Sequence, residues 1–161
     1  MKKGFSLVEL MIVVAVLGIL AAMTLPRFEG HVARAKAAAA RDNLRLLRQA
    51  IELYASQHND IPPGYTNGST EKPPLASEVV NQLTKATTAD GKHDVAGANL
   101  GPYLTDIPKN PLNDSDIIQI RQNNLAAVMP GPAGWLYDPE NKQIKLNYPG
   151  TDPDGVSYFD Y

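Results

Sequence analysis

Two acidic positions carry the chemistry that this sequence offers. Glu9 is the one charged residue in an apolar run from Phe5 to Leu25, and a carboxylate near the centre of a membrane-spanning helix costs about 2.5–3.5 kcal/mol on insertion scales. A charge in that setting needs a partner. Ser6-Leu7-Val8-Glu9 has the spacing of a capping box, in which the serine and glutamate side chains satisfy backbone donors where a helix begins. A different partner arises if the chain is cut after Gly4, because a new α-amine on Phe5 then lies one helical turn from Glu9. Towards the other end, Asp152-Pro153-Asp154-Gly155, followed by Ser157 and Asp160, sets oxygen donors around a turn. Calcium takes about 6–8 such oxygens in flexible geometry, and the same residues also form solvated turns with no ion.

The element that must position Glu9 is the apolar run itself, which has about the 20 residues needed to cross a bilayer as a helix. A secretory signal places its small-residue cleavage site after the apolar core. Here Gly4 precedes the core, behind Met1-Lys2-Lys3, and no A-x-A-like boundary follows it.

The stretch Lys3-Gly4-Phe5-Ser6-Leu7-Val8-Glu9-Leu10-Met11-Ile12-Val13-Val14, with Pro26 just beyond the run, closely resembles the class III signal of type IV pilins and type II secretion pseudopilins. The resemblance covers about the first 30 residues. It implies cleavage between Gly4 and Phe5 by a prepilin peptidase and N-methylation of Phe5. It also implies that Glu9 registers an incoming subunit against the Phe5 amine of its neighbour. An N-terminus inside and a domain outside are implied as well, although Arg27, Arg34, Lys36 and Arg41 outweigh Lys2 and Lys3 in a count of flanking charges.

Composition fits a small anchored subunit. The chain has 161 residues, a net charge of −2 and no cysteine, which excludes disulfides, thiolate metal sites and a cysteine nucleophile. Type IVa pilins commonly close their C-terminal region with a disulfide, so its absence leans the resemblance towards pseudopilins. No phosphate-binding glycine loop, G-x-S-x-G or H-E-x-x-H is present, and the chain is read as non-enzymatic. His31, His58 and His93 are scattered and are read as surface or helix residues rather than ligands.

Ala33, Ala37, Ala40, Leu44, Leu47, Ile51, Tyr54 and His58 recur at spacings of four and three, one stripe of a helix, which Leu46, Ala50 and Leu53 widen. The helix is expected to run from Phe5 to His58 with weak points at Gly18 and Pro26. Arg27, Arg34, Lys36, Arg41, Arg45 and Arg48 make its outer half basic. That face is either solvated or set against acidic surfaces of neighbouring subunits. No aromatic residues interleave with these charges, so nucleic acid is not expected as a partner.

Pro62-Pro63-Gly64 ends the helix. A short helix is expected over Leu75–Ala86 and an exposed loop over Thr87–Gly101. Tyr103, Leu104 and Ile107 then cross against the long helix. Ile117–Ile120 reads as a strand, and Trp135–Tyr137 with Gln143–Asn147 as a hairpin, Ile144 and Leu146 sharing one face. The predicted fold is α+β: a long N-terminal helix on a small C-terminal antiparallel sheet. This order, and the Gly134-Trp135-Leu136-Tyr137-Asp138 segment, again resemble the pseudopilins. Calcium held in the C-terminal loop is a property of major pseudopilins, and the resemblance points it to Asp152 and Asp154.

The expected organisation is a leader at 1–4, a transmembrane and filament-core helix at 5–25, and a periplasmic domain at 26–161. The resemblance implies a single-pass protein of the bacterial inner membrane and a subunit of a type II secretion pseudopilus. Its partners would be copies of itself, minor pilins or pseudopilins, the prepilin peptidase and an inner-membrane assembly platform. A type IV pilus subunit and a membrane-tethered periplasmic binding domain are the alternatives.

Overall fold

The computed structural model describes residues 6–122, 125 and 130–161, with the side chains of 22–29 set aside. Helix α1 spans Leu7–Gln57, about 75 Å at 1.5 Å per residue. Its backbone is helical through Gly18 and Pro26. The bend expected at Pro26 falls on the stretch whose side chains are outside the described residues. The helix stops because His58 leaves helical geometry and Asn59 and Asp60 turn left-handed, at φ 55° and 64°. The Asp60 N–H donates back to Ala55 O at 2.9 Å, which satisfies a carbonyl that the helix no longer can.

The outer half of α1 has one buried stripe: Ala37, Ala40, Leu44, Leu47, Ile51, Tyr54 and His58 are each at most 5% exposed. Ala50 widens it as expected. Leu46 and Leu53 do not, remaining 44% and 50% exposed, because they lie on the side of α1 turned away from the sheet. The expected second helix is α2, Ala76–Thr84, which buries Val79, Gln82 and Leu83. The stretch after it is not a free loop. Thr87, fully buried, bridges to both His93 and Leu100.

The sheet has three strands in the order β1 (Ile118–Ile120), β2 (Trp135–Asp138), β3 (Gln143–Leu146). The hairpin β2–β3 is antiparallel, with Trp135 opposite Leu146 and Tyr137 opposite Ile144. The antiparallel expectation fails at β1, which runs parallel to β2, with Ile118 opposite Trp135. The sheet is therefore mixed. The physical reason is the connection: residues 121–134 separate the two strands, long enough for the crossover that parallel pairing demands.

Trp135, Tyr137, Ile144 and Leu146 pack with Leu44, Leu47, Ile51 and Tyr54 in one core. The crossing segment is fastened to it by the Trp135 Nε1–H, which donates to Pro108 O at 2.8 Å. Gly134 is required where it stands, since a Cβ there would sit 2.1 Å from Ser115 O.

Candidate functional site

At the start of α1, Ser6 holds an extended backbone (φ −73°, ψ 142°) and caps the helix. Its hydroxyl accepts the Val8 N–H at 3.3 Å, and its own N–H donates to Glu9 Oε2 at 2.9 Å. The capping box read from the spacing is thus formed, and Glu9 is held one turn inside the helix. Gly4 and Phe5 lie outside the described residues.

From Leu7 to Leu17 the apolar side chains stay about half exposed or more among the described residues. Leu7, Met11, Val14, Leu17 and Leu20 are all more than half exposed, as are Leu10 and Ile12 on other faces. A helix that is hydrophobic all round is stable only when enclosed by lipid or by other protein. Among the described residues no helix is long and apolar enough to cross a membrane. The described side chains break off at residue 21 and resume at residue 30, and the end of the apolar run falls in that gap.

The far end of the chain builds a different site. Asp152 has a side chain 1% exposed and both oxygens engaged. Oδ1 accepts the N–H groups of Asp154 and Val156, each at 2.9 Å. Oδ2 accepts Arg41 Nη2 at 2.5 Å and the Tyr161 hydroxyl at 2.6 Å. The Arg41 guanidinium also lies over the Tyr161 ring, 4.1 Å from its centre. The tail is thereby clamped onto α1 by a buried carboxylate, a cation and an aromatic ring. The Tyr161 hydroxyl, foremost among these donors, holds the Asp152 carboxyl below the ordinary carboxylate range. Burial, followed by that same bond, pushes the Tyr161 phenol up to about 12.

This donor set does not fit a calcium ion. Asp152 already balances an arginine, Asp154 is exposed, and among the described residues no group of three or more His, Asp or Glu could hold a metal. Sequence reasoning named Arg41 only as a flanking charge and part of a basic face and missed Tyr161 altogether. The available signal was the position of Arg41, one residue past buried Ala40 and so at the edge of the core stripe.

The three histidines stand in different settings, and only His31 is the exposed helix residue that the sequence suggested. His58 is 2% exposed, with Nδ1 donating to Tyr54 O at 2.7 Å and Nε2 beside Thr87 Oγ1 at 2.9 Å. It is a core residue stacked on Tyr54. His31 is exposed, and His93 sits between Asp94 and Glu78.

Comparison with known proteins places this geometry. Residues 1–25 match the family model described as the prokaryotic N-terminal methylation motif. The chain is 30% identical to a type IV major fimbrial protein of Dichelobacter nodosus over 143 residues, 87% of this chain and 85% of that protein. It belongs to the type IV pilin family. A type IV major pilin of Neisseria gonorrhoeae is 38% identical over 74 residues, 46% of this pilin and 45% of that protein. A fimbrial protein of Pseudomonas aeruginosa is 33% identical over 107 residues, 62% of this pilin and 69% of that protein. No solved structure matches. This pilin is accordingly a structural filament subunit and not an enzyme.

Proposed function

We propose that this pilin is a subunit of a type IV pilus, held in the inner membrane by the apolar half of α1 until it is assembled. The observation that carries this reading is the all-round exposure of that half helix: the described residues leave it largely uncovered, whereas a bundle of identical helices would cover it. Leader 1–4 is removed, Phe5 is N-methylated, residues 5–25 form the membrane and filament-core segment, and 26–161 form the outer domain in the periplasm. Burial of the apolar helices supplies most of the adhesion, at about 25 cal/mol per Å². Glu9, meeting the Phe5 amine of a neighbour, supplies register more than net stability. The prepilin peptidase, minor subunits and an inner-membrane platform are the partners this route requires.

The test has two parts. Mass spectrometry of the mature chain is expected to find N-methylated Phe5 at its start, and an uncut chain overturns the reading. Glu9→Ala is expected to leave processing intact and abolish filaments, so normal filaments from that variant remove the registering role. A type II secretion pseudopilus is the second reading, favoured by the cysteine-free C-terminal region. Long surface filaments containing the chain support the pilus. Loss of exoprotein release on deletion supports the pseudopilus.

A further inference from the structure

We propose that this pilin carries both halves of a head-to-tail contact: an arginine cleft on one flank of α1 receives the acidic rim, Asp106 and Asp116, on the opposite flank of a second copy. The proposal rests on the filament reading above and names surfaces which that reading leaves open.

The arginine cleft, of about 240 Å³, is lined by Arg41, Leu44, Arg45, Arg48 and Tyr161. Its three cations are unequally balanced. Arg41 is committed to Asp152. Arg48 donates to the main-chain oxygens of Tyr161 at 3.0 Å and Ile144 at 3.3 Å and forms no ion pair with an Asp or Glu side chain among the described residues. Arg45 reaches Asp42 at 3.7 Å, with both side chains more than 70% exposed, a contact of little worth in water. Arg45 is therefore the cation of this cleft that lacks a strong counter-ion.

The opposite flank is defined by two bonds. Asn43 Nδ2 donates to Lys109 O at 2.9 Å, and the Tyr103 hydroxyl donates to Gln57 at 2.7 Å. These hold the crossing segment on the side of α1 away from Arg48. Beyond it, a cleft of about 350 Å³ lies between α2 and β1, where Val80, Ile107 and Ile117 adjoin Asp106 and Asp116. Both aspartates are exposed. Asp106 accepts one backbone N–H, and Asp116 forms no ion pair among the described residues. Ile117 beside it is 48% exposed.

The sheet order settles how the two clefts relate. Arg48 bonds to β3, the acidic cleft borders β1, and these are the two edges of the sheet. Complementary patches on opposite flanks of identical chains give a heterologous contact, which propagates as a helix when its rotation does not close. The occupant is a carboxylate rather than a phosphate chain, because acids interrupt the basic flank: Asp42 lies beside Arg45, and Glu52 lines the adjoining cleft with Arg48. An extended polyanion would meet these as repulsion, whereas a single carboxylate avoids them.

The absence of native cysteine makes the contact directly testable in the full chain. Arg45→Cys and Asp116→Cys are combined, filaments are sheared from cells, and a bis-maleimide links the thiols, since a direct disulfide cannot close a Cα separation above about 7 Å. A ladder of multimers is expected from the double variant and monomer alone from each single variant. Normal filaments of the double variant that yield only monomer overturn the proposal. In parallel, Arg45→Glu is expected to lower filament yield by about tenfold or more at unchanged cellular level, with Asp116→Arg in the same chain restoring it. Unchanged yield from Arg45→Glu, or loss that Asp116→Arg does not restore, each overturn it. If the unaltered chain is found in no filament, the filament reading itself fails, a result visible before any variant is made.

Discussion

Asp152 joins two parts of the chain that lie 111 residues apart, and its protonation governs whether they stay joined. Its folded pKa is depressed, foremost by the Tyr161 hydroxyl, so the carboxylate form is favoured in the folded state. The stability it contributes is present above the ordinary aspartate value of about 3.9 and is lost as pH falls through the lower folded value. Tyr161 works in the other direction. Its folded pKa is raised to about 12, so its contribution is present below the ordinary tyrosine value of about 10 and is lost as pH rises from there towards about 12. Melting of the detergent-solubilised chain is expected to weaken at both extremes. Asp152→Asn should flatten the acid limb and Tyr161→Phe the alkaline one; limbs that keep their slopes remove the clamp from the pH response. Added calcium is expected to leave the melting temperature unchanged, because the carboxylate it would need is held by Arg41.

At the scale of elements, α1 owes its place to a single stripe, and two adjacent leucines measure how sharply that stripe is drawn. Leu47 is fully buried in the core and Leu46 is 44% exposed. Leu47→Ala is expected to cost about 2–5 kcal/mol, the range for emptying a buried leucine site, while Leu46→Ala should stay within about 0.5 kcal/mol. Denaturant melts of the two variants compare them directly, and equal losses would mean that α1 is rotated from the orientation described. The stripe was legible in the sequence because helix periodicity is a local signal. Leu46 and Leu53 misled it, since an apolar residue on the outward face leaves the same mark as one at the edge of the core. The hairpin was legible from Trp135–Tyr137, the turn and Gln143–Asn147, all contiguous. The direction of β1 was not, because a strand's partner is chosen by a connection of variable path. Of the candidate site, Ser6 and Glu9 announced themselves by spacing within four residues. Arg41, Asp152 and Tyr161 meet only after the tail folds back, and no local pattern encodes that meeting.

The whole molecule divides its labour along α1. The buried core begins at Ala37, and every side chain named in it lies outward of that residue. The apolar half from Leu7 to Leu20 contributes nothing to it and stays exposed. Folding of the domain and association of the subunit are then separable: one depends on the sheet and the outer helix, the other on the inner helix. A chain starting at residue 30 keeps Ala33 to His58, the sheet and the Arg41–Asp152–Tyr161 clamp, and it discards the surface that demands cover. It is expected to melt cooperatively and to run as a monomer at micromolar concentration, whereas the full chain requires detergent or associates. Circular dichroism and size-exclusion chromatography read the two properties independently. Failure of the shortened chain to fold would mean that the inner helix supports the core after all. A folded but oligomeric product would assign the principal association surface to the outer domain, in place of the apolar helix from which the filament reading begins.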